Sequence, residues 1–221
     1  MKVVVLLGAP GAGKGTQAPL LAARLGFPVV ATGDLFRAAV REGTPLGREA
    51  RRYMDAGQLV PDDITVRLLL DRLGREDATA GVILDGFPRT AVQAQALDSA
   101  LADRASRVTA AVLVDVPTAE VFRRMSGRWI CRAAGHPYHE VFSPPRTPGV
   151  CDIDGSELYQ RADDQPATVQ ARLDQQLGAL AEVIEHYRHS GVLLTVDGLR
   201  PIDAVSAEID AALAAAGVTA A

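Results

Sequence analysis

The segment GAPGAGKGT, Gly8 to Thr16, constrains this chain more than any other, because it stands between an apolar β-branched run and a helical pattern. A glycine-rich turn in that context brings several backbone N–H groups onto one anion. The helix N-terminus adds its dipole. Gly8, Gly11, Gly13 and Gly15 permit the tight turn, with Ala12 between them, and Lys14 supplies a point charge for the β and γ phosphates of a nucleotide. The usual pattern puts Ser or Thr directly after the Lys; here Gly15 intervenes and the hydroxyl of Thr16 is displaced by one residue. A glycine-rich turn without a ligand is the competing reading, and both the strand–helix context and Lys14 oppose it. Alone, the loop says only nucleotide phosphate; it suits a GTPase, an ATPase motor or a small-molecule kinase equally.

The rest of the chain indicates what surrounds the loop. Runs at Lys2–Leu7, Pro28–Ala31, Gly81–Asp85, Ala110–Val116 and Gly191–Val196 are nearly all apolar and do not alternate. That is the pattern of strands buried on both faces of a parallel sheet. Helical patterns lie between them, as at Lys14–Leu25 and along Val169, Leu173, Leu177, Leu180, Ile184 and Tyr187. The expected fold class is therefore α/β with a parallel sheet flanked by helices. Two stretches break the rhythm. Residues 31–60 are helical and arginine-rich, and residues 127–164 hold Cys, His, Gly and Pro with little periodicity. A structureless loop that long is unfavourable, so the second stretch reads as a small inserted subdomain of short strands.

Charge and hydropathy exclude some classes. A formal net charge of -4 over 221 residues argues against a nucleic-acid partner, and local Arg and Lys still suffice for a phosphate. No apolar run approaches the roughly 18 residues of a membrane span, and the N-terminal run is too short for a signal peptide. The expectation is a cytoplasmic protein without a membrane partner. Two cysteines, Cys131 and Cys151, do not form a disulfide framework.

Further motifs follow in order: TGDLFR (Thr32–Arg37), DAGQLVPD (Asp55–Asp62), LDGFPRT (Leu84–Thr90), RRMSGR (Arg123–Arg128) and QRADD (Gln160–Asp164). Together with GAPGAGKGT they resemble the adenylate kinase family over nearly the whole chain. The resemblance implies a P-loop NTPase sandwich with a five-stranded parallel sheet in the order 2-3-1-4-5. It implies a CORE domain (residues 1–30, 61–126 and 165–221), an NMP-binding subdomain (31–60) and a LID (127–164). It also implies a monomer that carries out Mg2+-dependent phosphoryl transfer from ATP to AMP.

The residue types suit that chemistry. Two nucleotides brought together crowd many negative charges, and guanidinium forks neutralise and orient them. By resemblance, Arg37 and Arg89 grip the AMP phosphate, Arg124 and Arg128 reach the ATP phosphates, and Arg161 and Arg172 clamp the transferring group. Arg124 and Arg128 share a face if that stretch is helical. Asp85, with Thr16, matches the position that holds Mg2+ through water. Thr32, Gln58, Leu59, Val60, Gly86, Phe87, Pro88 and Gln93 match the AMP pocket, with Thr32 and Gln93 reading the base. Pro137, Tyr138 and Arg200 match contacts to the ATP base; packing in the LID core is the competing role for Tyr138.

Some relatives carry zinc in the LID. The matching positions here are Cys131, Ala134, Cys151 and Asp154; alanine cannot coordinate, and structural zinc takes four protein ligands. His136 or His139 could supply the fourth, yet the sequence favours a LID without zinc. Gly127 and residues 161–164 are the expected hinges. Rival readings are a UMP/CMP-type kinase, a GTP donor, a non-catalytic nucleotide sensor and a zinc-dependent structural module.

Overall fold

The computed structural model describes residues 1–161 and 164–219. The expectation that residues 161–164 form a hinge falls partly on Ala162 and Asp163, which lie outside the described residues. The chain runs β1 (Lys2–Leu7), α1 (Lys14–Leu25), β2 (Val29–Ala31), α2 (Thr32–Arg41), α3 (Pro45–Asp55), α4 (Asp62–Leu73), β3 (Gly81–Asp85) and α5 (Ala91–Ala102). It continues through β4 (Arg107–Asp115), α6 (Thr118–Ser126), β5 (Arg128–Cys131), β6 (Pro137–His139), β7 (Leu158–Tyr159), α7 (Pro166–His189), β8 (Leu193–Asp197) and α8 (Ile202–Ala215).

The main sheet has five parallel strands in the order β2-β3-β1-β4-β8, the order the resemblance implies. The absence of alternation in β1 has a direct cause. Val4 and Leu6 enter one apolar cluster with α1 and α8, while Val3, Val5 and Leu7 enter another with α4 and α5. Helix α7 serves both clusters, with Val169 and Leu173 in the first and Val183 and Tyr187 in the second. Removing one such side chain, as in Leu97→Ala, should cost about 2–5 kcal/mol. After β1 the chain moves to β2 and β3 on one side and then crosses to β4 on the other. The end of β1 is thus the switch point where open α/β sheets bind ligands.

Two stretches lie outside the α/β alternation. Helices α2 and α3 pack around Phe36 and Ala50 with Val60 and Ile64. Thr44 caps α3 by accepting the Gly47 N–H at 3.0 Å, and Pro45 fills the first turn. Strands β6-β5-β7 form a small antiparallel sheet between α6 and α7. The strand bounds differ slightly from expectation: β4 begins at Arg107 and β8 at Leu193. A larger correction concerns Arg124 and Arg128. Helix α6 stops at Ser126, with Gly127 as its C-cap, so Arg124 is helical and Arg128 opens β5; they do not share a helix face. Gly127 is tightly packed, since a Cβ there would meet the His139 ring at 2.6 Å. Among the described residues no helix is long and apolar enough to cross a membrane.

Candidate active site

The phosphate loop connects β1 to α1. Gly8, Gly11 and Gly13 have φ of 141°, 83° and 106°, and Gly13 is the N-cap of α1. At Gly11 the need for glycine is doubled, because a Cβ would lie 2.6 Å from Met125 Cγ on α6. Lys14 folds back over the loop, and its ammonium donates to the carbonyls of Gly8 at 2.7 Å and Ala9 at 2.9 Å. Burial lowers its pKa to about 8; Asp85 opposes the shift, and the positive charges of Arg89, Arg172 and Arg128 add to it. Asp85 also flanks the loop, since a Cβ on Gly15 would lie 3.6 Å from its Oδ2. Thr16 stays in the first turn of α1.

A second site lies beside the first. Thr32, Phe36, Arg37, the stretch Gln58–Val60, Arg89, Gln93 and Arg172 line a cavity of about 520 Å³ including its open mouth. Thr32 is buried and its hydroxyl donates to the Gly86 carbonyl at 2.8 Å, leaving only lone pairs for a ligand. The same carbonyl accepts from Arg89 Nε at 2.7 Å, which aims this arginine across the cavity wall. Phe87 is wholly buried in the core beside Leu84, and neither its ring nor Pro88 lines the cavity.

Each expected arginine is steered by a carboxylate or a carbonyl. Arg37 pairs with Asp34 at 2.6 Å, and Arg161 comes to 3.9 Å of the same carboxylate. Arg124 donates to Glu120 at 2.9 Å and reaches the Ala12 carbonyl in the phosphate loop at 3.5 Å. Burial opposes ionisation of Glu120, but hydrogen bonds from Arg124 and Arg123 outweigh it and hold the carboxyl below its ordinary range. Arg128 donates to the fully buried Asp164 at 2.8 Å, and Arg172 lies 3.7 Å from it. Sequence reading missed these anions. Asp34 with Arg37, and Glu120 with Arg124, stand three and four residues apart on single helices, a spacing that would have found them. Asp164 carries no such local signal.

The expected contacts to the donor base fare differently. Pro137 is exposed, and Arg200 pairs at 2.9 Å with Glu208 on α8. Tyr138 takes the competing role: its ring packs beside Cys131, Cys151 and Leu158. Its hydroxyl accepts the Asp152 N–H at 2.7 Å and lies 3.4 Å from the Cys151 sulfur, so its polar end is already satisfied inside the LID.

In the LID, Cys131, His136, Cys151 and Asp154 bring one ligand atom each to within 4.8 Å of one another. His136 Nδ1 lies 3.3 Å from Cys151 Sγ and 3.4 Å from Asp154 Oδ2, and Cys131 Sγ lies 3.1 Å from that oxygen. The two turns match: Gly135 and Gly155, at φ 76° and 72°, donate to the carbonyls of Cys131 and Cys151. The Ala134 N–H points at Cys131 Sγ, 3.3 Å away. Burial raises the Cys131 pKa, but hydrogen bonds from Ser156 and Ala134 prevail and bring it to about 7. His139 is not in this cluster; it turns toward α6, its Nδ1 accepting from Val141 and Phe142 N–H groups.

Comparison with known proteins gives a consistent picture. The adenylate kinase family model matches residues 6–192. An adenylate kinase of Staphylococcus epidermidis is 44% identical over 206 residues, covering 93% of this chain and 96% of that protein. One from Lysinibacillus sphaericus is 46% identical over 210 residues, covering 95% and 97%. One from Staphylococcus aureus is 44% identical over 206 residues, again covering 93% and 96%. With its phosphate loop at the end of β1, its arginine-lined cavity alongside and relatives that align over nearly their full length, this chain belongs to the adenylate kinase family.

Proposed function

We propose that this chain catalyses the reversible transfer of the terminal phosphoryl group of ATP to AMP, giving two ADP. One observation carries the reading. Lys14 in the phosphate loop sits in the field of Arg89, Arg128 and Arg172, and Arg89 and Arg172 also line the neighbouring cavity. A triphosphate on the loop and a monophosphate in the cavity therefore meet between the same cations. The loop N–H groups and Lys14 hold the donor, and Arg124 and Arg128 add charge from its flank. Arg37 and Arg89 hold the acceptor phosphate. Arg161 and Arg172 close over the transferring group. No general base is required, because the AMP phosphate is already an anion; positioning and charge neutralisation do the work. Mg2+ would be held through Asp85 and Thr16 and would shield the donor phosphates. In this reading residues 31–60 are the NMP-binding subdomain and 127–164 the LID, whose closure excludes water.

The donor set of the LID fits zinc. Metal–ligand distances of about 2.0–2.3 Å in a tetrahedron give ligand–ligand edges of roughly 3.3–3.8 Å; three spacings in the cluster, 3.1, 3.3 and 3.4 Å, are near that, and all four ligand atoms lie within 4.8 Å of one another. The expectation of a zinc-free LID rested on alanine at position 134, and His136 takes over the missing place. Zinc there is structural in this reading.

The test of function is product analysis after incubation with Mg·ATP and, separately, AMP, GMP, CMP or UMP. Rapid Mg2+-dependent ADP formation with AMP alone is the expected outcome. Main transfer to CMP or UMP would overturn the acceptor assignment. Folded protein that binds ATP and transfers to none would be a sensor. A cytoplasmic monomer belongs to the same proposal, and light scattering of the purified chain tests the oligomeric state.

A further inference from the structure

Gln93 occupies an unusual place in the cavity wall. It is 1% exposed, and both ends of its carboxamide are engaged. Nε2 donates to Asp62 Oδ1 at 2.7 Å, and Oε1 accepts the Arg89 N–H at 2.8 Å. Asp62 opens α4 and is not among the lining residues. Its other oxygen accepts from the Thr90 hydroxyl at 3.0 Å. That hydroxyl in turn caps α5 by accepting the Gln93 N–H at 3.2 Å. Backbone and side chain of Gln93 are therefore fixed by the same small network.

The chemistry of the two partners decides the orientation. An ionised carboxylate only accepts, and a backbone N–H only donates. Turning the amide by 180° would set Oε1 against the Asp62 carboxylate and Nε2 against the Arg89 N–H, two repulsive contacts in a buried place. Only one orientation satisfies both. It leaves one N–H and one lone pair of Gln93 for a ligand, in a fixed order. That order matters for purines. A 6-aminopurine presents a donor at N6 and an acceptor at N1. A 6-oxopurine presents an acceptor at O6 and a donor at N1, the mirror pattern, which the flipped amide would match equally well. A carboxamide free to flip cannot tell these bases apart.

We infer that Asp62 is a positioning residue that locks the Gln93 carboxamide and so makes the acceptor cavity select a 6-aminopurine monophosphate over a 6-oxopurine one. The inference rests on the reading of this cavity as the acceptor site and adds how the base is discriminated. Asp62 acts through Gln93 and needs no contact with the nucleotide. A buried amide held the wrong way round leaves polar groups unpaired, and such mispairing is what gives strong discrimination.

The experiment compares kcat/KM for AMP and for inosine monophosphate in the wild type, Asp62→Asn and Asp62→Ala, with melting temperatures recorded alongside. Asparagine can donate or accept, and alanine does neither, so each variant releases the lock from one end. The expected result is a fall of about tenfold in the AMP-to-inosine-monophosphate ratio in both variants. It should come chiefly from a lower KM for the 6-oxopurine, with kcat for AMP changed less. Folded variants that retain the wild-type ratio would overturn the lock, as would an equal rise in KM for both acceptors, since that is loss of a structural contact only. A wild type that does not phosphorylate AMP would instead overturn the acceptor reading on which the lock rests.

Discussion

The phosphate loop and the LID cluster both direct several polar groups at one point, but they do so by opposite means. In the loop the groups belong to one continuous stretch, Gly8–Thr16, and most of them are backbone. The geometry follows from positive-φ glycines and from the start of α1. In the LID the groups are side chains from two turns, Cys131–His136 and Cys151–Asp154, held together by a three-stranded sheet. The loop is built by local chain geometry and braced by the core; Cys131 and Cys151 of the cluster pack with Tyr138 and Leu158 in a small apolar group. A ligand of the loop adds function to a fold that is already stable. A ligand of the cluster would add stability to a stretch whose own core is small.

The comparison breaks most readily at Lys14. Lys14→Met should lower ADP formation by about 10²–10³-fold, the cost of losing one preorganised charge. Because burial already disfavours the ammonium in the folded state, the variant should melt no lower than the wild type at pH 7 by calorimetry. Near-normal turnover would remove the loop lysine from the mechanism.

His136→Ala is the converse experiment. Zinc measured by elemental analysis should fall well below one per chain, and thermal stability should drop by on the order of 3 kcal/mol, about 6–12 °C for a chain of this size. Chelation of the wild type should produce the same shift. Residual activity below the melting point should change far less than in Lys14→Met. Full zinc content in the variant would show that His136 is not a ligand, and a wild type without zinc would show that Ala134 marks the true state of the site.

The pH dependence separates the regions further. The free-state pKa of Lys14 is about 8, lowered mainly by burial. Bound phosphate favours the charged form and raises the pKa, so donor binding takes up a proton above pH 8. Affinity for a non-hydrolysable ATP analogue should be flat below pH 8. Above it, affinity should weaken by up to about tenfold per pH unit. For stability the sign is reversed: the penalty of burying the ammonium is present below pH 8 and is relieved as pH rises from 8 toward 10.5. Calorimetric titration at pH 7, 8 and 9 reads the binding effect.

The smallest expected effect is that of Glu120→Gln. Glu120 holds Arg124 and Arg123. Neutralising it should raise KM for ATP about fivefold, corresponding to roughly 1 kcal/mol for a steering hydrogen bond, with zinc content untouched. A change in kcat at saturating ATP larger than the change in KM would assign Arg124 to the transition state alone.

Much of the molecule was legible because its signals are local. The apolar runs located all five strands of the main sheet, with β4 and β8 displaced by a few residues, since strand ends depend on neighbours rather than on hydrophobicity. The helices α2 and α3 and the small sheet β6-β5-β7 were legible as breaks in the α/β rhythm. Errors arose where a residue's role depends on packing. Arg128 looks helical by spacing from Arg124, but Gly127 ends α6 between them. Tyr138 looks available to a ligand, but the LID folds it inward against Cys151. Between His136 and His139 the sequence left the fourth place open, and the fold brings His136 into the cluster, where Gly135 and Gly155 close matching turns.

The sequence by itself determined the phosphate loop, the parallel α/β sheet and the family, because glycine spacing, a strand before and a helix after are properties of contiguous residues. Only the tertiary structure decided which carboxylate steers each arginine, that Asp62 faces the Gln93 amide across 31 residues of chain, and that His136 joins Cys131, Cys151 and Asp154. Those outcomes depend on the path of the chain between distant segments. Hydrogen-bond partners are chosen there by distance and direction in space, and no local pattern of residues encodes either.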